Sequence, residues 1–178
     1  DIARKISRLD VITKGLGTDI VQLQLQNGIK VEPQISHHQS SWHRDLPYQH
    51  WVSSVPLSIS VLLAVTKFEE ETGATQLIPH SHKSSGFPSE EFAEKHKISL
   101  DAAPGCILVF DSMVFHRAGW NSSNLPRWAV NHIFTQPFIK QQISLHEEIC
   151  MDGLNESDKI LFGHKYRTPS SIEEFYRR

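Results

Sequence analysis

Between residues 19 and 26 apolar and polar positions alternate strictly, Val21, Leu23 and Leu25 against Gln22, Gln24 and Gln26. A period of two sends successive side chains to opposite faces, so the stretch predicts a half-buried strand. Asn27-Gly28 follows it with the composition of a turn. Residues 57–66 are denser in β-branched and apolar positions and predict a buried strand. An acidic loop, Glu69 to Gly73, leads into a short strand over 74–78 that Pro79 stops. Residues 88–96 predict a helix, with Ser89 as N-cap and Glu90 and Glu91 in its first turn. Pro104-Gly105 marks a turn, 106–110 a strand, 121–126 a polar loop and 128–134 the last clear strand. Short helices are expected within residues 1–10 and near 172–178, the second in a more polar tail that begins at about 145. Short strands between turn signals point to a mainly β fold, a sandwich or barrel of antiparallel strands with the few helices outside.

The 178 residues suit a single domain, with a β core over about 19–140 and a C-terminal extension over 141–178. A formal net charge of -2 offers no basic field for nucleic acid or an anionic membrane. No apolar run approaches the ~18 residues of a membrane span. The N-terminus has no secretory-signal pattern and no initiator Met, as in a fragment. Cys106 and Cys150 are too few for a disulfide framework, and Cys106 reads as a small core residue. A cytoplasmic setting is therefore the default expectation. Eleven histidines stand out, because histidine is the commonest metal ligand.

Two of those histidines combine with a carboxylate. In Trp42-His43-Arg44-Asp45, residues i and i+2 of an extended segment share a face, so His43 and Asp45 can offer an imidazole and a carboxylate to one ion. About seventy residues on, His116 closes an apolar stretch. Two histidines and one carboxylate leave three positions of an octahedral ion open, which suits Fe(II), whereas a structural zinc site closes four, usually with thiolates. Arg127 opens the last strand and shares its face with Ala129, Asn131 and Ile133. A guanidinium pointing into an apolar interior needs an anion, and its planar fork matches a carboxylate.

Three stretches, Trp-His-Arg-Asp at 42–45 followed by Pro47-Tyr48, Glu71 through Pro79-His-Ser-His-Lys83, and Pro104 through His116 and Asn121 to Arg127 and Ala129, occur in an order and spacing that resembles the phytanoyl-CoA dioxygenase family, a branch of the 2-oxoglutarate/Fe(II) oxygenases. The resemblance runs from about residue 22 to about 134. It implies a double-stranded β-helix (a jelly roll), iron held by His43, Asp45 and His116, and Arg127 paired with the far carboxylate of 2-oxoglutarate. It also implies that a residue on the first strand reaches the co-substrate, Gln26 with Gln24 as the alternative, and that Thr75 is a further contact. The implied reaction consumes O₂ and 2-oxoglutarate, releases succinate and CO₂, and hydroxylates an unactivated C–H of a small molecule. In related halogenases a small residue replaces the carboxylate, so Asp45 favours hydroxylation.

The substrate is not legible. Trp42, Tyr48, Trp51 and Asn131 are pocket candidates, as are Phe115 and Trp120, and His50 is placed at the mouth; the aromatic residues serve equally well as core. The chain departs from the family in having His80 where glycine is usual, Leu62 where tryptophan is frequent, and Arg117-Ala118 where small residues are common. Ser81 and His82 are expected to tie down the loop around His80. Two competing readings remain, a cupin-like metal-dependent isomerase or hydrolase in which Arg127 is idle, and a retired oxygenase that serves as a binding module.

Overall fold

The computed structural model describes residues 1–47 and 50–177. Two short helices, α1 (Ile2–Ile6) and α2 (Asp10–Leu16), precede a ten-residue strand, β1 (Gln22–Val31). Then come β2 (Ser58–Ala64), β3 (Thr75–Leu77), α3 (Glu90–His96), β4 (Ile98–Ser99), β5 (Ile107–Asp111), β6 (His116–Ala118) and β7 (Arg127–Thr135). Three helices close the chain, α4 (Leu145–Glu148), α5 (Glu156–Leu161) and α6 (Ile172–Tyr176). The Ser89 side chain caps α3 by accepting from the Phe92 amide, as the sequence predicts. The second helix, α2, was not anticipated.

The strands form two antiparallel sheets, one of order β1-β7-β2-β5 and one of order β4-β3-β6, and an isolated bridge between His43 and His116 adds the 43–45 segment beside β6. The fold is therefore mainly β with antiparallel sheets. One face of the larger sheet carries Leu23, Ile59, Val61 and Phe134 and packs under Ile12 and Leu16 of α2 and Leu161 of α5. Its other face carries Ile29, Leu62, Ala64 and Ala129 and meets Phe68, Ala74 and Ala118 from the smaller-sheet side. Burial of each such Leu, Ile or Phe contributes about 1.5–3 kcal/mol. Among the described residues no helix is long and apolar enough to cross a membrane.

Three expectations are corrected. Asn27-Gly28 does not end β1. Both residues lie inside it, opposite Asn131 and Val130, because pairing with β7 along the whole length outweighs local turn propensity. The alternation from Val21 to Leu25 does not hold one face, because a register shift between Leu23 and Leu25 leaves Leu23 opposite Phe134 and Leu25 opposite Ile133. Leu23 joins the helix-covered face, while Leu25 turns to the inner one. Cys106 is exposed rather than core, since it precedes β5 at the edge of the larger sheet.

Gly73 shows why the loop before β3 needs glycine. Its φ is +76°, and a Cβ there would sit 2.7 Å from the Gly119 carbonyl oxygen. This close approach brings the start of β3 against the end of β6, so that Thr75 faces Ala118 and Leu77 faces His116.

Candidate metal centre

His43 and His116 exchange backbone hydrogen bonds, each amide donating to the other's carbonyl at 3.0 Å, and the Asp45 amide donates to the Ser112 carbonyl at 3.0 Å. Alternation then turns His43 and Asp45 inward and Trp42 and Arg44 outward. One ligating atom from each of His43, Asp45 and His116 lies within 4.8 Å of the others. The reverse side of this ladder is clasped twice. The Arg44 guanidinium lies 4.1 Å from the Phe115 ring centroid, and that of Arg117 lies 4.5 Å from the Trp42 ring. Arg44 also donates to the carbonyls of Ser81 (2.9 Å) and Ser84, while the Ser81 hydroxyl accepts from the Phe115 amide at 2.8 Å. The loop carrying His80, whose φ is +61°, is thereby tied to the segments that carry His43 and His116. The tie comes from Ser81, while His82 Nδ1 has no partner among the described residues.

Both imidazoles are oriented by their Nδ1 atoms, which leaves Nε2 facing the cluster. His43 Nδ1 bonds the Ser41 carbonyl at 2.8 Å and His116 Nδ1 bonds the Val114 carbonyl at 2.9 Å, and a carbonyl only accepts, so each Nδ1 carries the proton. His43 Nε2 is buried without a partner, and His116 Nε2 lies 3.4 Å from Asp45 Oδ1. Asp45 Oδ2 accepts from the Ser60 hydroxyl at 2.5 Å. Burial, and then the neighbouring His116, pull the His43 pKa below its ordinary value. Burial alone would raise the Asp45 carboxyl, but the His116 imidazole and the Ser60 hydroxyl outweigh it and hold the pKa low. Burial opposes charge on His116 as well, yet the Asp45 carboxylate prevails and raises its pKa. A divalent cation is the group this donor set lacks, since it would take both Nε2 lone pairs and the inward carboxylate oxygen.

Arg127 lies at the other end of the same cleft. It is 1% exposed, its guanidinium is 4.4 Å from the Phe68 ring, and Nε and Nη1 are buried without a partner. Burial pulls its pKa down to about 10, so it stays charged at neutral pH. A buried cation with unmet donors is costly unless an anion binds it. The cleft that holds Arg127, His43, Asp45 and His116 is also lined by Thr75, Asn131 and Gln39, which add polar groups.

The structure thus brings His43, Asp45, His116, Arg127, Thr75 and Asn131 to one cleft. It does not bring Gln26 there. Gln26 is exposed and pairs with His132 on the helix-covered face, because the irregularity in β1 shifts the alternation. Gln24 is buried but donates to the Lys140 carbonyl at 2.8 Å. The inward position on β1 is Asn27, opposite Asn131, with its buried Oδ1 unpartnered. Trp42 lies on the reverse face under Arg117, Phe115 is buried there under Arg44, and Trp51 and Trp120 are 59% and 56% exposed. His50 lies against Phe87, and Tyr48 falls outside the described residues. Arg117 bonds Gln76, Glu90 and Glu94 and anchors α3 beside β6. Sequence reasoning missed Asn27, Gln39 and Ser60. No spacing marks Gln39 or Ser60, and the β1 irregularity hides Asn27.

Two antiparallel sheets thus carry a two-histidine, one-carboxylate cluster whose donor atoms could hold a metal ion. Residues 2–129 match phytanoyl-CoA dioxygenase (PhyH), and the chain belongs to that family. The uncharacterized protein Rv1501 of Mycobacterium tuberculosis is 31% identical over 143 residues, 78% of this chain and 51% of that protein. The dioxygenase cdmD of Talaromyces verruculosus is 31% identical over 102 residues, 57% of this chain and 33% of that protein. The chain therefore spans about half the length or less of these relatives. Among solved structures, EvdO2 from Micromonospora carbonacea var. aurantiaca complexed with 2-oxoglutarate superposes with a TM-score of 0.58 at 17% identity, covering 76% of this chain and 63% of that one. EctD from S. alaskensis with 2-oxoglutarate and 5-hydroxyectoine gives 0.55 at 20% identity, covering 66% and 45%.

Proposed function

We propose that this chain forms the iron- and 2-oxoglutarate-binding core of an oxygenase that hydroxylates an unactivated C–H of a small-molecule substrate, releasing succinate and CO₂. The observation that carries the reading is the pairing, in one cleft, of a two-histidine, one-carboxylate cluster with a buried guanidinium whose Nε and Nη1 have no hydrogen-bond partner among the described residues. A dicarboxylate keto acid offers one end to a metal and the other to a guanidinium, and a solved neighbour's complex with 2-oxoglutarate supports that choice. We read the two sheets as a double-stranded β-helix that forms a single domain, with residues 141–178 as its extension.

In this reading His43 Nε2, His116 Nε2 and Asp45 Oδ1 would hold Fe(II). When bound, the iron would supply open coordination positions and the oxidising power needed to attack a C–H bond. Arg127 takes the far carboxylate of the keto acid in a bidentate grip, and Thr75 offers its hydroxyl beside it. Asn131 presents its amide to the same cleft. Ile29, Leu62, Phe110 and Phe68 keep water from the guanidinium, which strengthens its hold on an anion.

The test is slow substrate-free turnover. Iron-loaded protein in air is expected to convert 2-oxoglutarate to succinate, with the product dependent on both Fe(II) and the keto acid. Binding of the metal without binding or decarboxylation of 2-oxoglutarate would favour a cupin-like isomerase or hydrolase. Failure to bind Fe(II) would favour a retired binding module.

A further inference from the structure

Behind the metal-facing side of Asp45 lie two serines that the proposed reaction does not use. Ser60 comes from β2 and Ser112 from the turn after β5, and both are 0% exposed. Asp45 Oδ1 faces His116 Nε2 at 3.4 Å, whereas Oδ2 faces the Ser60 hydroxyl at 2.5 Å. The Ser60 and Ser112 hydroxyls are 2.6 Å apart. An ionised carboxylate only accepts, so the single proton of Ser60 goes to Oδ2, and Ser112 must then donate to Ser60. The chain of donation runs one way, from Ser112 through Ser60 to Oδ2. It is anchored at both ends by backbone, since the Asp45 amide donates to the Ser112 carbonyl and the Ser112 amide donates to the Ser58 carbonyl at 3.2 Å.

A carboxylate free in a site can give a metal one oxygen or two. Two would close one of the three positions that a keto acid and O₂ need. From this one-way relay we infer that Ser60 is a positioning residue: by occupying Oδ2 it limits Asp45 to one oxygen on the metal and keeps the third position open. The inference rests on the metal-site reading above and goes beyond it. Ser60 and Ser112 are both 0% exposed, so bulk solvent does not reach Oδ2 in place of the Ser60 hydroxyl.

The test uses Mn(II) as the probe and counts its exchangeable waters by water-proton relaxation. Wild type is expected to hold about three waters and Ser60→Ala about two, because the released Oδ2 joins the ion. Ser60→Thr, which keeps a hydroxyl, is expected to restore the wild-type count. Three waters in Ser60→Ala would overturn the role of Ser60 and leave the metal site intact. Failure of the wild type to bind Mn(II) would overturn both. A measurement on wild type alone guards against a variant that fails to fold: the infrared carboxylate bands of Mn(II)-loaded, isotope-labelled Asp45 must show one-oxygen ligation, and a two-oxygen signature would overturn the inference.

Discussion

Arg127 is the residue on which the co-substrate reading turns. It occupies an apolar setting at the cost of its own desolvation, and among the described residues no acidic side chain pairs with it. Replacing it with methionine is expected to weaken 2-oxoglutarate binding by about 100-fold, measured by calorimetry, while Fe(II) affinity stays unchanged. The same variant should not lower the melting temperature of the ligand-free protein, because it removes an unpaired buried charge. A variant that loses Fe(II) and 2-oxoglutarate binding together would point to misfolding instead.

Asp45 and His116 make a second prediction at this scale, for the metal-free protein. Asp45 is held below its ordinary 3.8, so its stabilising share is present above 3.8 and is lost as pH falls through the lower folded value. His116 is held above its ordinary 6.5, so its share is complete below 6.5 and is lost as pH rises through the higher folded value. The pair therefore stabilises the fold most strongly between those limits. Asp45→Asn should destabilise metal-free protein by about 3 kcal/mol near pH 5.5 and by clearly less near pH 8.5, in thermal melts. A penalty independent of pH would contradict the pairing.

At the scale of elements, the strands were the most legible feature, and β1 shows where legibility ends. Its alternating pattern predicted a strand correctly, but both faces of the sheet bury apolar groups, one under helices and one between sheets. A shift in register therefore leaves no trace in the hydrophobic pattern. That shift turned Gln26 to the helix-covered face and set Asn27 opposite Asn131. Gly28 misled for a related reason, since Asn-Gly is a turn signal only where the chain has no long partner strand. Gly28→Ala should thus be neutral or stabilise by about 0.5–1 kcal/mol, because a Cβ there meets nothing within 4 Å. Gly73→Ala should instead cost about 2 kcal/mol or more, given its positive φ and the nearby Gly119 carbonyl. Urea unfolding of the two variants checks both signs. The clustering of His43, Asp45 and His116 was legible because the two-residue period of extended backbone puts His43 and Asp45 on one face, and the resemblance supplied His116. The second layer of hydroxyls and amides was not, because single serines, asparagines and glutamines carry no spacing signature.

Over the whole molecule, the polar tail proves to be part of the packing. Gln141 donates to the Leu23 carbonyl at 2.7 Å and Gln142 to the Asp45 carbonyl at 3.0 Å, so the start of the extension staples β1 and the ligand segment together. Leu161 and Phe162 then complete the cluster under α1 and α2. Truncation after residue 140 is expected to destabilise the protein by about 3–6 kcal/mol in urea titrations, the burial of two large side chains. Full stability after truncation would show the tail to be dispensable.

Everything proposed for the site depends on one cleft receiving a metal ion at one end and a dicarboxylate at the other. The most direct measurement is an anaerobic titration of the protein with Fe(II) and 2-oxoglutarate, followed by visible absorption. A charge-transfer band that needs both components at once is the predicted result, since only direct contact between them produces it. A mixture that stays colourless while both components bind would contradict the account.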